Sequence, residues 1–192
     1  MSVFTAAYPD GRVGREARNL FTERFGYVPD IENRNRLQDE EAYRFMITKA
    51  RDVPRAVEMG CDFGLTGRDF LEEYGNRDLE IIEELPACRS RVVLFERKEG
   101  GIIPVPVTVY PNISRKYLGQ RMQNNDCWTI VNLNGETESW VASGMADFGI
   151  DVVETSKTLQ ASGLAVNEVI MESSAVIIAR KDNIDKVRGL YV

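Results

Sequence analysis

Two short stretches of this chain share one pattern: Gly60-Cys61-Asp62-Phe63-Gly64-Leu65 and Gly144-Met145-Ala146-Asp147-Phe148-Gly149-Ile150. In each, a helix pattern ends at a glycine, Asp-Phe-Gly follows, and an apolar strand leads to a loop and another helix. A match this short is also compatible with coincidence. Interpreted as structure, it predicts two similar lobes that present strand ends and helix N-termini to a shared cleft, an arrangement that suits an anionic ligand.

Strand and helix patterns alternate along the whole chain. The predicted strands are Val3–Tyr8, Tyr43–Thr48, Phe63–Leu65, Leu79–Glu84, Arg91–Glu96, Val105–Tyr110, Trp128–Leu133, Phe148–Val153, Val166–Met171 and Ala175–Ala179. Such alternation is typical of α/β folds, in which helices flank mainly parallel sheets. With Lys98–Gly101 as a loop near the boundary, we predict one lobe from 1–90 with 173–192 and a second lobe from 91–172. The acidic run Asp39–Glu41 is interpreted as a solvated turn.

Composition limits the functions that this chain can perform. Of its 192 residues, 43% are hydrophobic and 28% are charged, and the formal net charge is -6. An acidic chain argues against nucleic-acid binding, and no apolar run approaches the roughly 20 residues that span a bilayer. The absence of histidine excludes Ser-His-Asp and Cys-His chemistry and argues against protein-held zinc. The scattered Cys61, Cys88 and Cys127 indicate reduced thiols and a cytoplasmic protein.

The residues best suited to chemistry lie in one strand-to-helix junction, Asp151-Val152-Val153-Glu154-Thr155-Ser156-Lys157-Thr158-Leu159. Carboxylates accept hydrogen bonds from two ribose hydroxyls, while hydroxyls, backbone N–H groups and a lysine at a helix start hold a phosphate. The candidate ribose 5-phosphate ligands are therefore Asp151, Glu154, Thr155, Ser156, Lys157 and Thr158. The simpler alternative is a capped helix with Thr155 or Thr158 at its N-cap.

This junction resembles the phosphoribosyl-pyrophosphate loop of the ATP phosphoribosyltransferases, which typically reads Asp-x-Val-(Glu/Ser)-Thr-Gly-x-Thr-Leu. The matching residues are Asp151, Val153, Glu154, Thr155, Thr158 and Leu159. The preceding Gly144–Asp147 is similar to the family's Gly-(Leu/Met)-Ala-Asp, and Ser162-Gly163-Leu164 is similar to its Asn-Gly-Leu.

Further matches follow in order along nearly the whole chain. Tyr110–Tyr117 resembles Tyr-Pro-Asn-Ile-Ala-Arg-x-Tyr, and Leu133–Glu138 resembles Leu-(Asn/Tyr)-Gly-x-x-Glu. In the first lobe the matching residues are Arg44, Phe45, Asp52, Val53, Pro54, Gly60, Asp62, Gly64, Gly67 and Asp69. Because the chain ends soon after Ile184, it is similar to the family's short form, which lacks a regulatory domain.

A few positions depart from the family pattern. Asp10 stands where lysine is usual in Pro-Lys-Gly-Arg, Arg68 also replaces a lysine, Ser156 replaces a glycine, and Trp140-Val141 replaces Ala-Pro. Reversing a charge near a polyphosphate changes the interaction by on the order of 1–4 kcal/mol in a partly wet site. A serine also lacks the freedom of glycine to adopt a positive φ. These changes bear on the identity of the acceptor more than on the identity of the ribose donor.

The resemblance implies an activity, a fold and partners. The activity is transfer of 5-phosphoribosyl from phosphoribosyl pyrophosphate to N1 of ATP, with release of pyrophosphate, as the first step of histidine biosynthesis. The fold is similar to type II periplasmic binding proteins, with a ligand cleft between the two lobes. The expected metal is Mg²⁺ carried by the diphosphate. Short forms work with a histidyl-tRNA-synthetase-like regulatory subunit, so a homo- or hetero-oligomer is expected.

The same resemblance assigns roles to the remaining candidates. The candidate catalytic residues are Asp151, Glu154 and Arg12, and the candidate diphosphate or acceptor ligands are Arg12, Lys49, Arg68 and Glu138. By spacing alone, a solvated helix-start position explains Arg12 equally well, and a solvated surface position is the default for Lys49 and Glu138. Trp140 is predicted to pack rather than to stack on adenine.

Two other functions stay open at this point. A paralogue that uses the same donor with another nitrogenous acceptor is favoured by the changed first loop and by Trp140. A non-catalytic two-lobed solute-binding or sensor module is disfavoured by the intact acidic and hydroxyl-rich junction.

Overall fold

A computed structural model describes residues 3–40, 42–75, 78–97, 105–121, 129–155 and 157–192. The chain divides into two compact units. Unit 1 is Met1–Arg89 together with Ser174–Val192, and unit 2 is Ser90–Ser173. Within the described ranges no helix has the length and apolar character needed to cross a bilayer.

Helices and strands alternate through both units. The described strands are β1 (Phe4–Pro9), β2 (Leu37–Glu40), β3 (Tyr43–Thr48), β4 (Phe63–Gly67), β5 (Leu79–Arg97), β6 (Pro106–Thr108), β7 (Val131–Asn132), β8 (Phe148–Val153) and β9 (Leu164–Arg180). The described α-helices are α1 (Arg12–Glu16), α2 (Arg18–Phe25), α3 (Val53–Met59), α4 (Arg68–Tyr74), α5 (Pro111–Arg121), α6 (Thr137–Ala142), α7 (Lys157–Ala161) and α8 (Ile184–Arg188). Short 3₁₀ turns at Ala50–Asp52 and Lys181–Asn183 precede α3 and α8.

The sheet of unit 1 has the strand order β2-β3-β1-β4, followed by β9. β1 runs parallel to β3 and to β4, whereas β2 and β9 are antiparallel to their neighbours. The core on this sheet is aromatic: Tyr8, Phe21, Phe45 and Phe63 are fully buried. Because β1, β3 and β4 are parallel, their carboxyl ends share one edge of the sheet, and the residues that follow them are brought together there.

In unit 2, β8 pairs with the second part of β5 in antiparallel register and with β6 in parallel register, and β6 pairs in parallel with β7. Val93, Phe95, Val107 and Val141 lie in its buried core. Gly149 on β8 makes room for the Phe95 ring, because a Cβ there would lie 2.3 Å from a ring carbon and the ring would have to move. The carboxyl ends of β6, β7 and β8 form one edge of this sheet.

The structure corrects two features of the sequence interpretation. Leu79–Glu84 and Arg91–Glu96 are parts of one strand, β5, and the two predicted closing strands are parts of β9. The predicted breaks lie where each strand passes from one unit to the other, at 89–90 and 173–174. The interpretation of Asp39 and Glu40 as a turn is wrong, because both lie on the edge strand β2. There the Asp39 carboxylate accepts a 2.6 Å hydrogen bond from Arg44.

The repeated Asp-Phe-Gly pattern has the predicted local structure in both units. α3 ends at Gly60, with φ 139°, before β4 begins, and α6 is followed by Gly144, with φ 79°, before β8 begins. A positive φ is accessible to glycine at little cost, which explains why both helix-to-strand turns contain one.

Asp62 fastens three segments of unit 1 at the start of β4. Its carboxylate accepts hydrogen bonds from the Thr5 backbone N–H (2.8 Å), Asn183 (3.1 Å) and Lys186 (3.2 Å). Burial by itself would raise the pKa of Asp62, but these bonds outweigh burial and hold the pKa below its usual value. The stabilisation is therefore present above the unfolded-state pKa of about 3.9 and is lost as the pH falls below it.

Replacing Asp62 with asparagine should lower the free energy of unfolding near neutral pH by about 1–3 kcal/mol. It should also flatten the fall in stability that sets in as the pH drops below about 3.9, because the titrating carboxylate is gone. Urea unfolding at several pH values measures both effects. An unchanged acid dependence in the variant would contradict this role for Asp62.

Candidate functional site

Asp151 lies on β8 and is held in place by two hydrogen bonds. One carboxylate oxygen, Oδ2, accepts from the hydroxyl of Thr137, and the other, Oδ1, accepts from the Val152 backbone N–H at 2.7 Å. Thr137 is fully buried at the first position of α6. The sequence interpretation missed Thr137, since nothing in the local pattern connects it with a residue fourteen positions later.

A second set of buried hydroxyls braces the residue before Asp151. The Thr108 hydroxyl, at the end of β6, donates to the Ile150 carbonyl at 2.7 Å and accepts from the Tyr110 backbone N–H at 2.8 Å. Ser114 on α5 donates to the same hydroxyl oxygen at 3.0 Å. Thr108 and Ser114 are fully buried. These bonds fasten β8 to β6 and α5 just before the acidic position.

The predicted ribose 5-phosphate segment follows β8 as an exposed turn. Glu154 and Thr155 lie between β8 and α7, and Lys157 and Thr158 are the first two residues of α7; all four are exposed. Ser156 lies outside the described residues. Thr158 is therefore within the helix and is not its N-cap, which removes one form of the simpler alternative. The turn presents an acid, hydroxyls and an ammonium group in immediate succession.

α6 carries two further candidates in unit 2. Glu138 lies in its first turn and is half-buried. Trp140, predicted to pack, keeps 40% of its surface exposed. Glu138 follows Thr137 directly and Trp140 lies three positions after it, so this short helix combines the Asp151 contact with an acid and an indole.

In unit 1, the predicted cationic residues follow three neighbouring parallel strands. Arg12 begins α1 after β1 and forms a 3.2 Å ion pair with Glu16. Lys49 follows β3, and Arg68 begins α4 directly after β4. The parallel register, with Pro9 opposite Thr48, brings the residues after β1 and β3 to the same edge. The roles of Arg12, Lys49 and Arg68 stay a prediction.

Asp10, the acid that replaces the family's lysine, lies between two cations. Lys49 Nζ is 3.0 and 3.1 Å from its carboxylate oxygens, and Arg36 Nη1 is 3.4 Å from Oδ2. The Asp10 side chain is only 13% exposed. The reversed charge is thus compensated within unit 1 by Lys49 and by Arg36, a residue that the sequence interpretation did not single out.

Arg68 is also engaged within unit 1. Its Nη1 is 3.5 Å from Glu84 Oε2, and the other oxygen of Glu84 accepts a 2.7 Å hydrogen bond from Ser174. Arg68 Nε is buried and has no hydrogen-bond acceptor among the described residues. The guanidinium group is partly exposed, so it can reach a ligand at the edge from which β4 leads into α4.

Within the described ranges, the cysteines are poorly suited to nucleophilic chemistry and no cluster of metal ligands is present. Burial, with a smaller effect of Asp62, raises the pKa of the Cys61 thiol to about 11, and burial is also the main reason that the pKa of Cys88 is about 11. Thiols that stay protonated are poor nucleophiles. Within the same ranges, no three or more acidic or cysteine side chains gather as metal ligands.

Comparisons with known proteins identify the family. A profile of the family described as ATP phosphoribosyltransferase matches residues 49–190. A curated ATP phosphoribosyltransferase from Campylobacter curvus is 31% identical over 98% of this chain and 95% of its own length. This chain belongs to the ATP phosphoribosyltransferase family. The comparisons thus confirm the predicted enzyme class, phosphoribosyl transfer to ATP in histidine biosynthesis.

Solved structures confirm the fold class of this family member. A chain of the ATP phosphoribosyltransferase (HisG:HisZ) complex from Thermotoga maritima matches with a TM-score of 0.80 at 21% identity, over 97% of this chain and 99% of that one. The periplasmic aliphatic sulphonate binding protein SsuA from Escherichia coli matches with a TM-score of 0.58 at 14% identity, over 97% of this chain and 67% of that one. The likeness to binding proteins is one of fold alone, so it does not favour the non-catalytic alternative.

Proposed function

We propose that the turn after β8 is the donor site of this ATP phosphoribosyltransferase. Asp151 and Glu154 accept hydrogen bonds from the ribose hydroxyls of phosphoribosyl pyrophosphate, and the segment from Thr155 to Thr158 holds its 5′-phosphate. The observation that supports this most strongly is the Asp151 carboxylate, which Thr137 and the Val152 N–H fix beside that exposed turn. An oriented acid next to hydroxyls and an ammonium group matches a pentose phosphate.

The reaction requires positioning rather than a protein base. N1 of ATP already carries the attacking lone pair, so it bonds to C1 of the ribose as the C1–O bond to pyrophosphate breaks, with inversion at C1. Pyrophosphate leaves with the bonding electrons, and positive charge develops on the sugar. Carboxylates beside the ribose and cations beside the departing diphosphate stabilise that charge separation. A chain without histidine can carry out this chemistry.

We assign the cationic edge of unit 1 to phosphates. Arg12, Lys49 and Arg68 follow neighbouring strand ends, and Arg68 has a buried Nε without an acceptor among the described residues. These side chains would bind the diphosphate, which enters as its Mg²⁺ complex, or the phosphates of the acceptor. Glu138 on α6 would contact the acceptor.

One assay tests the proposed function. Purified protein is mixed with phosphoribosyl pyrophosphate, Mg²⁺ and ATP, and phosphoribosyl-ATP and pyrophosphate are measured. Equal amounts of both products support the proposal. Donor binding without product, repeated in the presence of a regulatory subunit, would contradict ATP as the acceptor and favour another nitrogenous acceptor.

The second candidate, a different acceptor, rests on Asp10 and Trp140. Asp10 brings a negative charge to an edge where phosphates are expected, although Lys49 and Arg36 compensate it. An exposed indole on α6 adds bulk where the family has Ala-Pro. A screen of nitrogenous acceptors with a pyrophosphate readout separates this candidate from the first.

Replacing Asp10 with asparagine should lower the KM for ATP by roughly fivefold, because a nearby like charge in a wet site costs a phosphate on the order of 1 kcal/mol. Stability should change by less than about 1 kcal/mol, since Lys49 and Arg36 are largely exposed. Steady-state kinetics at two salt concentrations check this, with Asp39→Asn as a control for loss of an exposed ion pair. An unchanged KM at low salt would remove Asp10 from the neighbourhood of the acceptor.

We also propose that this chain assembles with a histidyl-tRNA-synthetase-like regulatory subunit in the cytoplasm. The support for the partner is the Thermotoga maritima relative, whose name describes a HisG:HisZ complex. The support for a reducing compartment is that Cys61 and Cys88 are buried free thiols. Size-exclusion chromatography of the mixed proteins with light-scattering detection would reveal a joint oligomer. Separate elution of the two proteins at micromolar concentration would contradict the assembly.

A further inference from the structure

We infer that Thr137 is a positioning residue for the ribose donor, acting by holding the Asp151 carboxylate in the orientation that receives the ribose hydroxyls. This inference rests on the proposed donor site. It adds a residue from α6, outside the donor-binding motif, to the machinery of that site. Its basis is the hydrogen bond from the Thr137 hydroxyl to Asp151 Oδ2.

The chain turns sharply to deliver Thr137 to this position. Gly135 has φ 145°, and Glu136, the residue before α6, adopts the left-handed conformation with φ 57° and ψ 30°. A non-glycine residue in that conformation costs on the order of 1 kcal/mol and persists only where the surroundings impose it. The next residue is Thr137, fully buried, with its hydroxyl directed at Asp151.

The two hydrogen bonds define the plane of the carboxylate. Thr137 occupies one oxygen and the Val152 N–H occupies the other, so rotation about the Cβ–Cγ bond of Asp151 would break both bonds. A carboxylate can accept about four hydrogen bonds, so the bonds from Thr137 and from the Val152 N–H do not by themselves saturate it. The geometry is that of an acid fixed before a ligand arrives, which reduces the entropy lost on binding.

The bracing hydroxyls of Thr108 and Ser114 act on a different atom. They fasten the backbone of Ile150, whereas Thr137 contacts the side chain of Asp151 itself. Loss of the Thr137 hydroxyl therefore removes the contact to Asp151 Oδ2 while leaving the strand attached. Loss of the Ser114 hydroxyl removes a buried hydrogen bond to Thr108 without touching the carboxylate.

The test uses Thr137→Val, which keeps the shape but removes the hydroxyl, Thr137→Ser, which keeps the hydroxyl, and Ser114→Ala as the matched control. Each full-length variant is titrated calorimetrically with Mg²⁺–phosphoribosyl pyrophosphate, and KM is measured for donor and for ATP. For Thr137→Val we expect the donor Kd and KM to rise by roughly 10- to 100-fold, as for a lost hydrogen bond to a charged group. The KM for ATP should stay within about twofold, because the ATP ligands are untouched.

The two controls separate positioning from general loosening. Thr137→Ser should return the donor Kd to within about threefold of wild type. Ser114→Ala should keep the wild-type donor Kd while lowering the melting temperature about as much as Thr137→Val does. An unchanged donor Kd in Thr137→Val, or an equal rise in Ser114→Ala, overturns the inference. If Asp151→Asn loses donor binding while Thr137→Val does not, the donor site stands and only the role of Thr137 is wrong. A wild-type protein that binds no donor overturns both.

Discussion

Replacing Asp151 with alanine should reduce turnover by roughly 10²- to 10⁴-fold, because its charge-assisted hydrogen bonding to the ribose would be lost. Thr137 and the Val152 N–H orient the Asp151 carboxylate. A neighbouring side chain could replace that carboxylate only if it formed the same two hydrogen bonds. The effect should appear in kcat divided by the KM of the donor, measured as pyrophosphate release at fixed ATP.

The protein should stay folded in this variant, which the melting temperature reports. Asp182→Ala provides the control, since the Asp182 side chain is 77% exposed and its Oδ1 forms a surface ion pair with Arg180 Nε at 3.3 Å. Its activity should be that of wild type. Wild-type rates in Asp151→Ala would remove Asp151 from the donor site.

Replacing Gly14 with alanine should destabilise unit 1 by about 3 kcal/mol or more. A Cβ at Gly14 would lie 1.9 Å from the Pro9 carbonyl oxygen and 3.0 Å from a ring carbon of Tyr8. The Pro9 carbonyl is part of β1 and cannot shift without disturbing the strand, so α1 would have to move away from β1. The 2.7 Å hydrogen bond from the Tyr8 hydroxyl to the Gly14 carbonyl would then be lost. Arg12, on the same helix, would move with it.

The matched control is Gly119→Ala on α5, where a Cβ meets nothing within 4 Å. Alanine has the higher helix propensity, so this variant should be more stable by about 0.5–1 kcal/mol. Urea unfolding of both variants measures the contrast. Equal stability of Gly14→Ala and wild type would show that α1 does not need this close approach to β1.

Local patterns predicted the elements and residues that depend on neighbours in the sequence. β3 and β8 have the predicted bounds, because an apolar strand between turn residues is a local signal. The exposed turn after β8 was also recognisable, because its acids and hydroxyls are consecutive in the chain.

Features that depend on distant contacts were not predictable in this way. Thr137 reaches Asp151 only because α6 begins beside β8, and Arg36 reaches Asp10 only through the packing of unit 1. The continuity of β5 was hidden by Pro86, which looks like a strand end in the sequence but lies within the strand.

The most direct test of the donor site is calorimetric titration of Mg²⁺–phosphoribosyl pyrophosphate into wild-type protein and into Asp151→Asn, without ATP. We predict saturable binding to the wild type with a stoichiometry of about one per chain, and affinity at least roughly 100-fold weaker in Asp151→Asn, which keeps the size of the side chain but not its charge. Equal affinities in the two proteins would contradict the assignment of the β8 turn to the pentose phosphate.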